Sequence, residues 1–223
     1  MPHTSHLLLE PRKSPVQARS TASVDAILHA TIQVLLRVGK ERLTTTRVAY
    51  RAGVSVGTLY QYFPNKSALL QAALKRHLDA VADDVERACQ EQKGNSLEQM
   101  GAALVTAFLE AKMRDVKTSV ALYSVSSDVD GAKIVQQIGV KINKAMLEMF
   151  ASAREPLTKD PQLVTSMLQA AMAGVSRRML ESADHEKEFE TLHRELIFFV
   201  HAYLQACSAR PTAQIVSLNQ SGN

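Results

Sequence analysis

The chain has 223 residues, 46% of them hydrophobic, which is typical of a soluble globular protein with one large or two small domains. Its two cysteines, Cys89 and Cys207, have no CxxC partner, which fits a reducing compartment. No apolar run reaches the length of a secretion signal or a membrane span, so we expect a cytoplasmic protein. The net charge of +4 is uneven: residues 1–66 carry nine Lys and Arg against three acids, which indicates a polyanion-binding N-terminal part.

The first 18 residues contain three prolines and no hydrophobic periodicity, so we predict a flexible basic arm. Arg12, Lys13 and Arg19 are suited to reach DNA phosphates or the minor groove. An arm without any role is the alternative for residues 1–11.

An amphipathic helix is predicted from Ser20 to Val38, where apolar residues recur at three- and four-residue steps. Gly39 ends it. Leu43 to Lys66 then predict two short helices joined by a tight turn, followed by the start of a third. Together with the first helix, this pair would form a three-helix head.

Capping residues mark the ends of these short helices. Thr44 or Thr45 is suited to cap the first, and Gly53 can take the positive φ that ends it. Ser55 is the next N-cap, and Pro64 stops the second helix because it forces the preceding residue out of the α region. A capped helix, a glycine turn and a second capped helix indicate a helix-turn-helix, whose second helix lies in the DNA major groove.

The residues Gly53-Val-Ser-Val-Gly-Thr-Leu-Tyr-Gln-Tyr-Phe-Pro-Asn-Lys66, followed by Ala68-Leu-Leu70, resemble the TetR-type (tetracycline-repressor) family of bacterial transcriptional regulators. The resemblance is specific between Val24 and Leu70. It implies a long helix from Asn65 that links the DNA head to a helical body, an effector pocket in that body, and a dimeric four-helix bundle formed by the last two helices. The family often has Lys at the position of Val56, so one phosphate or base contact is missing here.

Eleven residues are predicted to contact DNA. Those expected to position the head on phosphates are Thr44, Thr45, Arg47, Tyr62 and Lys66. Those expected to face the groove are Ser55, Val56, Gly57, Thr58, Tyr60 and Gln61. Gln61 is the candidate for a bidentate contact to adenine, and Val56 for contact with a thymine methyl group.

The remaining sequence predicts an all-α body, because no region alternates apolar and polar residues as a sheet would. We expect helices near 96–111, 117–124, 129–153, 161–181 and 186–208, with a break at Ser126-Ser-Asp128. The predicted domains are an arm (1–18), a helix-turn-helix domain (19–66), an effector-binding and dimerisation domain (67–208) and a disordered tail (209–223).

The last two predicted helices carry small residues and a wide apolar stripe, which favours a two-fold homodimer. The alternative is that both helices pack only into their own core. The predicted interface residues are Leu163, Met167, Ala170, Ala171, Gly174, Leu196, Phe199, Val200 and Tyr203.

Methionine and aromatic residues in the body predict an adaptable interior, since Met lines promiscuous surfaces. The candidate ligand-binding residues are Met100, Leu104, Phe108, Tyr123, Met146, Met149, Phe150 and Met172. Each of them alone is better explained as ordinary core, so only the general location of a pocket is predicted. The expected ligand is largely apolar, oriented by Tyr123 and by Lys112, Arg114 or Arg177.

Enzymatic motifs are missing from the sequence. His185-Glu-Lys-Glu-Phe189 begins like the zinc motif HExxH, but Phe replaces the second histidine, and neither a Walker loop nor a GxSxG elbow occurs. We therefore expect no enzyme, no metal and no cofactor. The predicted function is a cytoplasmic homodimeric regulator, a repressor released from a palindromic double-stranded DNA operator by a small effector. The alternative is a small-molecule-binding or partner-docking protein whose head no longer binds DNA.

Overall fold

The computed structural model describes residues 18–182 and 184–208. Within these ranges the chain forms nine α-helices and no β-strand, which confirms the all-α prediction. They are α1 (Ala18–Arg42), α2 (Thr45–Ala52), α3 (Val56–Tyr62), α4 (Lys66–Glu91), α5 (Leu97–Met113), α6 (Val116–Val125), α7 (Gly131–Ala151), α8 (Pro161–Glu181) and α9 (His185–Cys207). The predicted tail, nearly all of the predicted arm, including Arg12 and Lys13, and the side chains of Arg19 and His185 lie outside the described residues.

The helix caps of the N-terminal region lie where the sequence places them. Thr44, rather than Thr45, caps α2, and its hydroxyl accepts a hydrogen bond from the Arg47 N–H at 3.3 Å. Ser55 Oγ accepts from the Thr58 N–H at 2.9 Å, and Asn65 Oδ1 accepts from the Ala68 N–H at 2.8 Å. Each cap satisfies a backbone donor that has no partner inside its helix.

Glycines with positive φ end α1 and α2. Gly39 has φ 75° and ψ 169°, which breaks the helical path four residues after Leu35, and residues 40–42 add a short turn beyond the predicted end. Gly53 has φ 68° and ψ 28°, and the Gly53 and Val54 N–H groups donate to carbonyls of the last turn of α2. The left-handed conformation at Gly53 therefore sets the angle between α2 and α3.

Replacing Gly53 by Ala should destabilise the protein by about 1–2 kcal/mol, because an L-residue pays that much for a left-handed backbone. A Cβ at this position would meet no atom within 4 Å, so sterics add nothing to the backbone term. Gly53→Asn is the matched control and should cost less, since Asn tolerates this conformation. Chemical denaturation of the three proteins measures the difference, and equal stability of Ala and Gly variants would contradict it.

The head is built around large side chains with at most 1% exposure, contributed by α1, α2, α3 and α4: Ile27, Val48, Leu59, Phe63 and Leu69. α1 from Ser20 to Arg42 is also long and apolar enough to cross a membrane by length and composition, contrary to the expectation from the sequence. Packing explains this composition, because Ile27, Ala30 and Leu35 face the core with exposures of 0%, 2% and 4%. Since α4 shares this core, the head is held firmly against the start of the long helix.

In the body, α4 packs against α5 and α7, α5 packs against α9, and α8 lies beside α9. The approach of α5 to α9 is close at Gly101, where a Cβ would lie 2.9 Å from side-chain atoms of Leu204 and Val200. A glycine is therefore needed for α9 to lie at this distance from α5.

The connection from α6 to α7 is a 3-10 turn, Ser126–Asp128, followed by two residues. It confirms the predicted break, although α7 begins only at Gly131, after Asp130 with a positive φ of 55°. A Cβ on Gly131 would lie 2.5 Å from the Ser126 carbonyl oxygen, so this turn can fold tightly only with glycine there.

Candidate functional site

Helix α3 presents one face to solvent and buries the other. Val56 and Tyr60 are 37% and 41% exposed, whereas Leu59 is completely buried. Gln61 is exposed, and its side chain makes no hydrogen bond to any residue that the structure describes. The outer face of this short rod therefore carries a free amide, an apolar group and an aromatic ring.

Hydroxyl groups link the exposed face of α3 to the start of α2. The Tyr60 hydroxyl lies 3.0 Å from Thr45 Oγ1, and Ser55 Oγ lies 2.8 Å from Thr58 Oγ1. The first contact places two hydroxyls beside the N-terminus of α2, where partial positive charge favours a phosphate.

The other predicted phosphate-binding residues lie in different environments. Arg47 is exposed, whereas Tyr62 is half-buried and packs against the core. Lys66 Nζ donates to the Lys40 carbonyl oxygen at 2.6 Å, which ties α4 to the end of α1. An ammonium group has three donors, so this contact leaves Lys66 able to bind a phosphate as well.

A cavity of about 550 Å³ lies between α4, α5, α6, α7 and α8. Three of the eight predicted ligand-binding residues line it: Phe108, Tyr123 and Met172. The other five do not line it and are buried with exposures of 0–3% in the surrounding core, so a ligand in this cavity would not contact them: Met100, Leu104, Met146, Met149 and Phe150. They satisfy the same apolar pattern, but their helix faces point at neighbouring helices.

Lys112, His77 and Ser119 provide polar groups inside the cavity, and Arg177 lies with Tyr123 at its exposed side. The Arg177 guanidinium carbon is 5.8 Å from the Tyr123 ring centroid, and its Nε donates to Glu181 at 2.9 Å. Arg114, the third predicted orienting cation, is not in the lining and pairs with Asp84 at 2.7 Å. A ligand in this cavity would therefore not contact Arg114.

Exposed apolar side chains, which we together call the α8–α9 patch, occur on both of the last two helices, and these helices pack against each other. Leu163 and Met167 are 53% and 49% exposed, and Phe198 and Phe199 are 70% and 51% exposed. Ala170 and Gly174 continue the same face of α8, where a Cβ on Gly174 would meet nothing within 4 Å. Nothing in the part of the protomer that the structure describes requires glycine at this position.

Two predicted interface residues belong instead to the protomer core. Leu196 and Val200 have exposures of 3% and 0%, and Val200 packs against α5 at Gly101. Ala171 and Tyr203 are half-buried at the edge of the patch, with the Tyr203 and Phe199 rings stacked 6.5 Å apart. The stripe of α9 therefore divides between an inner and an outer face.

Two family models match the chain over more than two thirds of its length. Residues 27–73 match the model described as bacterial regulatory proteins of the tetR family, and residues 96–204 match a tetracyclin repressor-like C-terminal domain. The chain belongs to the TetR family. Its members are regulatory proteins and not enzymes, in agreement with the prediction from the sequence.

Among TetR-family relatives, the transcriptional repressor KstR of Rhodococcus jostii is 34% identical over 129 residues, which cover 57% of each chain. KstR of Mycolicibacterium smegmatis is also 34% identical over 129 residues. The matched part of this chain spans 57% and 60% of the lengths of these two repressors. The nucleoid occlusion factor SlmA of Photorhabdus laumondii is 24% identical over 160 residues, covering 68% of this chain and 80% of SlmA.

Solved TetR-family structures share the fold. A regulator from Mesorhizobium loti superposes with a TM-score of 0.70 at 17% identity, covering 86% of this chain and all of the other. SmeT, the repressor of the Stenotrophomonas maltophilia efflux pump SmeDEF, gives a TM-score of 0.62 at 23% identity, covering 85% and 92%. These likenesses establish the arrangement of a helix-turn-helix head on a helical body.

Several residues that this TetR-family structure brings to its surfaces are not indicated as site residues by the sequence pattern. Tyr50, one turn after Arg47 on α2, is 90% exposed. The sequence signal for its exposure is that it lies outside the apolar positions of α2, Val48, Ala49 and Ala52. Phe198 carried no separate signal, because Phe199 already satisfies the helical spacing of the apolar stripe on α9, yet both rings are exposed. His77 and Ser119 carried no sequence signal, since their proximity depends on how α4 meets α6.

Proposed function

We propose that the protein is a homodimeric, ligand-responsive transcriptional repressor of the bacterial cytoplasm. The observation that carries this proposal is the exposed face of α3, held by a complete set of caps within a segment that matches the TetR-family model. KstR, which is similar over 57% of this chain, and SmeT, whose structure superposes on 85% of it, are both described as repressors. The proposed division is a DNA-binding domain at 19–66 and an effector-binding and dimerisation domain at 67–208.

In the proposed complex, α3 enters the major groove and its N-terminal residues face the base edges. Gln61 offers both a donor and an acceptor to adenine, and Val56 offers a methyl group to thymine. The Thr45 hydroxyl and the Arg47 guanidinium would bind phosphates on either side, while Tyr60 would face the groove with Gln61. Tyr50 is added to this set because its exposed ring lies on the same side of α2 as Arg47.

The proposed homodimer forms through the α8–α9 patch. This patch contains four large apolar side chains on two neighbouring helices, each with about half or more of its surface exposed. Such a group is unusual for a protein surface that contacts only water. The exposed small residues of α8 would allow a partner helix to approach closely. A two-fold dimer would present two α3 helices to half-sites about 34 Å apart.

The α6–α7 connection is the proposed route from the cavity to the head. Ser126, Ser127 and Gly131 line the cavity, while the intervening Asp128 pairs with Lys40 at the end of α1. Next to it, the Val129 carbonyl oxygen accepts a hydrogen bond from Gln71 of α4 at 3.1 Å. A ligand that displaces this short segment would shift the head, and by linkage DNA must weaken the binding of that ligand by the same factor.

Selection of bound duplexes from a random DNA pool tests the proposed function. We expect a palindrome whose half-sites are centred about one helical turn or a multiple of it apart, with affinity that falls steeply as salt rises. The alternative, a head that no longer binds DNA, would be favoured by two results together. The selection would recover no common sequence, and retention of the protein on random duplex DNA would not depend on salt.

A further inference from the structure

The described lining of the cavity contains basic side chains but no acidic ones. Lys112, His77 and Arg177 belong to the lining, and no Asp or Glu is among the described residues that surround it. The remaining lining is predominantly aliphatic or aromatic, from α4, α5, α7 and α8. Electrostatics therefore favour a ligand that combines an apolar body with negative charge.

Lys112 is the cation placed deepest among these groups. Its Nζ makes no hydrogen bond or ion pair to any residue within 18–182 or 184–208, and burial lowers the pKa of its ammonium group. Arg177, in contrast, is exposed and already pairs with Glu181. The Lys112 side chain is half-buried. Since a charge that is partly removed from water without a partner is costly, the position of Lys112 is explained if a ligand supplies the missing anion.

The hydrogen-bond pattern beside Lys112 identifies which group is free to bind a ligand. The Ser119 hydroxyl donates to the Lys112 carbonyl oxygen at 2.8 Å, so its contact with His77 at 3.0 Å must be one in which His77 Nε2–H donates. Burial, followed by the charge of Lys112, lowers the pKa of His77, which keeps the imidazole neutral. His77 and Ser119 thus satisfy each other, and the Lys112 ammonium remains the free donor.

Asp115, the acid that acts electrostatically on His77, is unavailable to Lys112. Asp115 lies near enough to His77 to oppose the lowering of its pKa, but it is absent from the cavity lining. Its two carboxylate oxygens accept from the Thr118 N–H at 3.0 Å and the Thr118 hydroxyl at 2.6 Å, which cap α6. The anion that would complete the site must therefore come from outside the described chain.

We propose that the cavity binds a lipophilic carboxylic acid, with its carboxylate on Lys112 Nζ and its hydrocarbon part along the wall formed by Leu78, Val81, Phe108, Ile142 and Met172. A single ammonium matches a monoanion better than a phosphate dianion, which needs more donors. A volume of about 550 Å³ is within the range of sites for drug-sized ligands. Only the regulatory consequence, release of the operator by this acid, rests on the proposed function.

Calorimetric titration of the purified full-length protein with dodecanoate and with dodecanol, both below their aggregation limits, tests this proposal without DNA. We expect dodecanoate to bind more tightly than dodecanol. In Lys112→Met the ratio of the affinity for dodecanoate to the affinity for dodecanol should fall about tenfold to a hundredfold, as expected for loss of a charge-assisted hydrogen bond. Lys112→Arg should keep the preference, and Lys144→Met, an exposed lysine of α7 outside the lining, should leave it unchanged.

Equal binding of the acid and the alcohol, or an unchanged ratio in Lys112→Met, would overturn the proposal. The ratio cancels any general loss of affinity, and circular dichroism of each variant verifies that it is folded. Release of the selected duplex by dodecanoate is measured separately. Tight acid binding without release would contradict the proposed repressor function and leave the assigned ligand class standing.

Discussion

Replacing both Tyr60 and Gln61 by alanine is expected to abolish sequence-specific binding of the selected duplex while the protein remains a folded dimer. Both side chains are exposed on α3, and Leu59, which anchors this helix, is untouched. Each good base contact provides about 1–3 kcal/mol of discrimination, so the loss of two should lower specific affinity by about a hundredfold or more. Mobility-shift titration against the selected and a scrambled duplex measures the effect.

The matched control replaces two other exposed polar residues, Gln136 and Gln137 of α7, by alanine and should leave binding unchanged. Weak binding of the scrambled duplex should largely persist in the Tyr60–Gln61 variant, because Arg47 and the helix termini still contact phosphates. If the variant keeps its preference for the selected duplex, α3 is not the helix that reads the sequence.

Introducing glutamate at both Phe198 and Phe199 should convert the dimer into a monomer and reduce operator affinity by at least about a hundredfold. The two rings are 70% and 51% exposed in the protomer, so the substitutions leave its core intact but would bury two unpaired carboxylates at a dimer interface. A monomer also loses half of the phosphate contacts, which should halve the slope of log affinity against log salt.

Sedimentation velocity measures the association state of this variant. Leu36→Glu is a control for association, because Leu36 is also an exposed apolar residue, at 44%, but lies on α1 of the head. This control should remain dimeric. A Phe198–Phe199 variant that sediments as a dimer would place the interface elsewhere and remove the proposed role of the α8–α9 patch.

The N-terminal head follows from the sequence because its determinants are local. Ser55 and Asn65 reach backbone N–H groups only three residues away, and Gly53 is recognisable by the backbone conformation that a short turn requires. Similarly, Pro161 marks the start of α8 at the predicted residue. Helical periodicity is enough to place the body helices to within a few residues, including α7, which begins at Gly131 two residues later than expected.

Tertiary structure alone decides which residues of the body face a cavity, a partner or the core. Met146 and Met172 have the same composition signal and nearly the same exposure, yet only Met172 lines the cavity. Phe199 and Val200 are neighbours in one apolar run, but the position of α5 at Gly101 buries Val200 and leaves Phe199 outside. The sequence by itself determined the helices, the capped head and its basic charge, since these depend on contacts over a few residues. The cavity and its free lysine depend on how helices from distant parts of the chain pack together, and local periodicity carries no information about that.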